Sequence, residues 1–202
     1  MMYMNMSYQE AKVRLSETLP PKRFTHSLNV MELCGQLAPR YGIDRDKALT
    51  AGLLHDCAKY IDGEQMVAIC IDRGYQPDAI QMQATHLLHP IVGSFIAREE
   101  FGVEDEDILN AIANHTCGRP GMSDLELLVF SADYCEVGRT HGDAVVAREV
   151  LGRNLQRAAL HILDNVIRYN QAKGVTVHPA SIKTKKYYSE LVNSNVKGNE
   201  VK

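Results

Sequence analysis

Six side chains scattered along the chain have the chemistry to hold metal ions: His26, His55, Asp56, His89, His115 and Asp133. His26 stands beside an apolar stripe in "RFTHSLNV". His55 and Asp56 end the apolar run "AGLLHD". His89 directly precedes Pro90, His115 closes "IANHT", and Asp133 lies between Phe130 and Tyr134 in "VFSADYC". Taken alone, His55-Asp56 reads as a helix-end histidine hydrogen-bonded by its neighbour. The Asp133 carboxylate changes that reading, because in apolar surroundings it is costly unless paired or bound to a cation. No thiol joins the set. Imidazole and carboxylate donors suit iron, manganese, cobalt, nickel or zinc better than calcium or magnesium. Where two metals share a carboxylate, the pair can hold a hydroxide for attack on phosphorus.

The elements that must bring these residues together read as helices. "SYQEAKVRLSETL" is amphipathic and stops at Pro20-Pro21, and Pro21 suits the first turn of the next helix. There Phe24, Leu28, Met31 and Ala38 recur at helical spacing. Gly42 ends that helix and Asp44 can cap the one carrying His55. "GEQMVAICIDRG", "HPIVGSFIAREEFG" and "DEDILNAIANHT" follow, the last opening with carboxylates that suit a helix N-terminus. "CGRPG" is a tight loop, and Ser123 with Glu126 forms a capping box before "LLVFSADYCEV". "LQRAALHILDNVIRYNQAKG" and the basic "ASIKTKKYYSELV" complete the chain. No segment reads as a strand. The expected fold is all-α, a compact single domain of about eight to ten helices.

Length and charge exclude several classes. The chain has 202 residues, enough for one domain with a full core, and a formal net charge of -3. Bulk electrostatics therefore recruits neither nucleic acid nor an acidic membrane. No apolar run reaches the roughly 18 residues of a membrane span, and no basic-then-apolar leader is evident. The five cysteines are odd in number and form no CxxC pair, which suggests reduced thiols and a cytoplasmic location. There is no GxxxxGK loop, so kinase or motor chemistry has no support.

The order of the six residues resembles the HD-domain metal-dependent phosphohydrolase superfamily. The words "RFTHSLNV", "AGLLHDCAK", "LLHPIVG", "ANHTCGRPGMS" and "ADYCEVGR" further resemble its YqeK-like family of symmetrical diadenosine-tetraphosphate hydrolases, over about residues 20–190. That resemblance implies an N-terminal helix (1–19) packed on an HD domain (20–192), followed by a frayed tail (193–202). It implies two divalent transition-metal ions, iron favoured and manganese, cobalt or nickel allowed. His26, His55, Asp56 and Asp133 would hold one; Asp56 would bridge to a second held by His89 and His115. A water between the ions would attack the central phosphoryl group, giving two ADP. Catalysis would rest on Asp56, Lys59 and Arg119. Lys59, His86, Arg119, Gly121 and Arg139 would bind substrate, Lys59 and Arg119 by contacting phosphates, and Gly121 by keeping the loop open to close approach. Small-molecule substrates, no nucleic-acid partner and a homodimer are the accompanying expectations.

Other readings of these residues stand beside it. Arg139 could instead pair with Glu136 on its own helix, and His86 could be a general acid or a plain surface residue. His141, His161 and His178 read as capping or solvent-facing, and "EDED" at 104–107 as a helix start. Cys117, Val137 and "THGDAVVAREV" depart from the family's usual words, which bears on substrate grip and not on the six ligands. Another HD-type nucleotide phosphohydrolase, such as a 5′-nucleotidase or deoxynucleoside triphosphohydrolase, and a non-catalytic nucleotide-sensing module are the alternatives.

Overall fold

Helix α1 (Tyr8–Thr18) starts in a reciprocal capping box: the Ser7 hydroxyl accepts from the Glu10 amide and the Glu10 carboxylate accepts from the Ser7 amide. Ala11 and Leu15 face inward, the Tyr8 hydroxyl donates to the Asp46 carbonyl at 2.8 Å, and Arg14 pairs with Glu100. The N-terminal helix thus shares the core of the remaining chain. These coordinates come from a computed structural model and describe residues 3–199.

Ten further helices follow: α2 (Pro21–Leu37), α3 (Arg45–Leu54), α4 (Gly63–Asp72), α5 (Ala79–Gln83), α6 (His89–Phe101), α7 (Glu106–Asn114), α8 (Asp124–Cys135), α9 (Gly142–Leu151), α10 (Leu155–Ala172) and α11 (Pro179–Asn199). Short 3-10 turns cover Ala38–Tyr41 and Thr85–Leu88. No strand occurs among the described residues, so the all-α expectation holds. Asp44, Asp62, Asp105 and Ser123 cap the N-termini of α3, α4, α7 and α8 through their side chains. The acidic run at 104–107 therefore serves as a helix start, with Lys47 paired to Asp105 at 2.9 Å.

The apolar period left three elements unread: α5, the turn Thr85–Leu88 and α9. The first two are too short to show a helical period. In α9 only Ala144, Ala147 and Leu151 are buried, a weak stripe opened by His141 as N-cap. Helix α11 continues into the tail expected to fray, as far as Asn199, and residues 200–202 lie outside the described residues.

α3 is buried on nearly every side. It lies against α2 at Gly52, where a Cβ would stand 2.9 Å from Met31 Cα and 3.1 Å from Met31 N. Both are backbone atoms that cannot swing aside, so only glycine lets the two helices approach this closely. α7 and α8 pack on α3 in turn. α2, α8, the C-terminal ends of α3 and α7 and the start of α6 come together around one cluster of side chains.

Candidate metal centre

All six predicted donors converge there. His26 comes from the middle of α2 and Asp133 from α8, while His55 and His115 are the C-caps of α3 and α7. Asp56 follows His55, and His89 opens α6. The donors fall into three overlapping groups whose atoms lie within 4.8 Å of one another: His26, His55 and Asp56; His55, His115 and Asp133; and Asp56, His89 and His115. Every one is buried except Asp133, whose side chain is 26% exposed and marks the open side.

Helix ends orient the rings. The last carbonyls of a helix have no partner within it. His55 Nδ1 donates to the Gly52 carbonyl at 2.8 Å and His115 Nδ1 to the Ile112 carbonyl at 2.7 Å; His89 Nδ1 donates to the His86 carbonyl at 2.5 Å. A carbonyl can only accept, so each Nδ1 carries a hydrogen and each ring turns Nε2 inward. The carbonyl ends of α3 and α7 also bring partial negative charge toward the cluster, which favours a cation. His26 differs: its Nδ1 lies 3.2 Å from Glu136 Oε1.

The inward nitrogens face one another. His26 Nε2 and His55 Nε2 are 3.2 Å apart, and His89 Nε2 and His115 Nε2 are 3.1 Å apart. Asp56 lies between the two pairs. Its Oδ1 faces His89 Nε2 at 3.3 Å and His115 Nε2 at 3.5 Å without a well-aligned hydrogen bond, and its Oδ2 faces His55 Nε2 at 3.5 Å. A buried carboxylate oxygen without an aligned hydrogen bond, facing two imidazole nitrogens, fits a divalent cation.

Electrostatics agree. Burial alone would raise the Asp56 carboxyl, but the His55 charge and its contacts with His115, His55 and His89 hold it well below the usual carboxylate range. Burial would likewise raise Asp133, yet the hydrogen bond to His26 and the charges of His55 and His115 hold it far down. Burial, with the charges of His115 and Lys59, pushes the His89 imidazole down to about 4, so this ring is neutral and ready to ligate. Burial would lower His55, but the Asp56 and Asp133 carboxylates carry it above the ordinary histidine value.

Positive charge surrounds the cluster, though not where the sequence suggests. Arg23, absent from the predicted set, donates from Nη1 to Asp56 Oδ2 at 2.8 Å. It stands three residues before His26 on α2, and its pairing over 33 residues leaves no trace in sequence spacing. Arg139 sends Nη2 to 3.9 Å from Asp133 Oδ1 and Nε to 3.6 Å from Glu136 Oε1, and that Nε has no hydrogen-bond partner. It lines a cavity of about 270 Å³ with His115, Thr116, Asp133, Tyr134 and His141, directly beside the cluster. The pairing with Glu136 on its own helix end is present, and the same side chain also faces the cavity. Lys59 lines a second cavity of about 190 Å³ with His86 and Thr85. Burial pushes its ammonium below the usual lysine value, aided by the nearby Arg23 charge.

Arg119 and Gly121, both expected to help grip the substrate, sit in the loop before α8. Arg119 gives its fork to Glu126, Nε to Oε1 at 2.8 Å and Nη2 to Oε2 at 2.6 Å. Glu126 is a buried capping-box residue, so Arg119 neutralises an interior carboxylate while its own side chain stays 44% exposed. Gly121 has φ +68°, and a Cβ there would meet only the Tyr187 hydroxyl at 3.9 Å; a left-handed turn explains it without any ligand. His86 is exposed on the wall between the Lys59 cavity and a third cavity of about 320 Å³ that also holds Cys117 and His178. That third cavity shares Thr116 and Ser181 with the one beside the cluster. His141 caps α9, His178 binds Asp78 at 2.8 Å, and His161 bonds Asn165 at 3.0 Å, each in the plain role its position suggests.

Known proteins agree with this geometry. The HD domain profile matches residues 23–138, which include all six donors. A protein of Halalkalibacterium halodurans named as a symmetrical bis(5′-nucleosyl)-tetraphosphatase is 37% identical over 174 residues, 86% of this chain and 91% of its own. A Bacillus subtilis protein of the same name is 34% identical over 190 residues, 94% of this chain and all of its own. The crystal structure of a Clostridium acetobutylicum protein, described as a predicted HD superfamily hydrolase involved in NAD metabolism, superposes with a TM-score of 0.89 at 38% identity, covering 92% of this chain and 98% of that one. No helix among the described residues is long and apolar enough to cross a membrane. The chain belongs to the HD domain family, in the branch of the symmetrical bis(5′-nucleosyl)-tetraphosphatases.

Proposed function

We propose that this chain is a metal-dependent hydrolase that cuts diadenosine tetraphosphate at the centre of its phosphate bridge to give two ADP. The observation that carries the reading is the set of four inward Nε2 atoms about the buried Asp56 carboxylate, those of His89 and His115 facing Oδ1 and those of His26 and His55 facing Oδ2. His26, His55, Asp56 and Asp133 would hold one divalent ion; Asp56, His89 and His115 would hold a second, with Asp56 shared. Iron is our first choice, with manganese, cobalt or nickel as substitutes, because the donors are all nitrogen and oxygen. When bound, such ions acidify a water and offset charge on phosphoryl oxygens.

The chain's own groups prepare the rest. A symmetrical tetraphosphate is polyanionic, and a chain of net charge -3 must meet it with local cations. Arg139 and Lys59 flank the cluster on two cavities and present a guanidinium and an ammonium to phosphate oxygens. Arg23 holds Asp56 Oδ2, fixing the shared carboxylate while leaving part of its fork toward solvent. The walls of the cavity beside Asp133, with Tyr134, Ile162, Leu163 and Val166, suit a nucleoside. His86 touches the substrate path from its wall, and its carbonyl orients His89. Five free cysteines support work in a reducing cytoplasm, and a small-molecule substrate, no nucleic-acid partner and a homodimer complete the reading.

Chromatography of products tests this. Protein stripped of metal and refilled with iron, manganese or cobalt should convert diadenosine tetraphosphate to ADP alone. AMP with ATP would rule out central cleavage. Orthophosphate, or nucleoside with tripolyphosphate, would favour a different nucleotide phosphohydrolase, and tight binding without turnover a sensing module.

A further inference from the structure

Three of the four clustered histidines lean on a backbone carbonyl; only His26 leans on a side chain, Glu136. Glu136 is 3% exposed and its carboxylate is fully used. Oε1 takes His26 Nδ1 at 3.2 Å, while Oε2 takes Asn29 Nδ2 at 2.8 Å and the Gly138 amide. Arg139 Nε stands 3.6 Å from the same Oε1.

The chain is shaped around this carboxylate. Gly138 has no left-handed φ to explain it, yet a Cβ there would lie 2.9 Å from Glu136 Oε2 and 3.0 Å from Oε1. Its missing side chain is space for Glu136. Arg148 from α9 donates to the carbonyls of Cys135 at 2.6 Å, Glu136 at 2.6 Å and Arg139 at 2.9 Å, clamping the turn that carries both residues. An anionic partner on Nδ1 makes an imidazole a stronger donor at Nε2 than a carbonyl does.

We propose that Glu136 is a positioning residue that locks His26 with Nε2 inward and strengthens one cation position, that of His26, His55, Asp56 and Asp133, over the other. Gly138 and Arg148 exist in turn to hold Glu136. The inference rests on the two-cation reading above.

Cobalt(II) titration of the metal-free protein, followed by visible absorption against a competing chelator, tests it. Wild type should bind two equivalents. Glu136→Gln should bind one as wild type does and the other about 10- to 100-fold more weakly, with the melting temperature of the metal-free protein unchanged. Gly138→Ala, which leaves every donor in place, should shift the same equivalent by a smaller factor. The double variant should be no worse than Glu136→Gln, because both act through one carboxylate. Wild-type binding of both equivalents by Glu136→Gln overturns the inference alone. So does equal weakening of both equivalents with a lower metal-free melting temperature, the mark of a merely structural residue. A wild type that binds one equivalent overturns the two-cation reading, and the claimed selectivity with it.

Discussion

The Nε2 atoms of His89 and His115 lie 3.1 Å apart, and each ring has already given its Nδ1 hydrogen to a carbonyl three residues back. The two Nε2 atoms so placed share one inward face, with the Thr116 hydroxyl 3.3 Å from His89 Nε2. A cation bound there would tie the two rings together. Metal binding and folding should therefore be linked. At free metal about 100-fold above its Kd the stabilisation is about 2.7 kcal/mol, or about 5 to 10 °C in a domain of this size. Differential scanning calorimetry before and after chelation checks it; equal melting temperatures would contradict it.

Asp56→Ala should abolish hydrolysis and lower metal content, since it removes the one carboxylate within reach of all four rings. It also strips Arg23 of its partner. Turnover at the wild-type rate in metal-replete Asp56→Ala would defeat the scheme.

The two candidate arginines should separate cleanly. Arg119→Ala leaves the buried Glu126 with only the Ser123 amide and Asn114, and should cost about 1–3 kcal/mol of stability with kcat/KM little changed. Arg139→Ala should do the opposite, lowering kcat/KM about 10²-fold if it acts as a charge-stabilising donor while the melting temperature holds. Steady-state kinetics beside thermal melts would show a reversed pattern if the assignment is wrong.

Lys59 carries charge where burial opposes it. Its folded-state pKa lies below the unfolded value, so between the two the unfolded chain binds more protons and stability rises with pH; the penalty is complete below the folded pKa. Lys59→Met should thus be more stable than wild type at neutral pH in metal-free protein. That advantage should shrink as pH climbs through the lowered pKa toward 10.5, and activity should fall throughout. Urea melts across pH give the test; a variant less stable at pH 7 would contradict it.

How far the sequence reveals this molecule depends on how local each feature is. The capping box at Ser123 needs three residues of spacing and is legible, and the one at Ser7, equally local, adds to it in the structure. The six candidate donors stand out in the sequence too, because a carboxylate such as Asp133 is conspicuous in an apolar run. Arg23 and Glu136 were not: one reaches Asp56 across 33 residues and the other His26 across 110, and only the close pass of α2 over α3 and α8 makes those contacts. The partner of Arg119 was hidden too: an arginine in a glycine-rich loop looks free, whereas Glu126 of the next capping box turns both carboxylate oxygens to it. The same box was read as a helix start without seeing that its carboxylate needed a cation.

The central claim is that the convergent histidines and aspartates cage two cations. Anomalous diffraction above the absorption edge of the metal, with elemental analysis of the same crystals, measures this directly. The account predicts two peaks, one among His26, His55, Asp56 and Asp133 and one among Asp56, His89 and His115. A metal-replete crystal with no peak there, or with the rings turned away from one another, would contradict it.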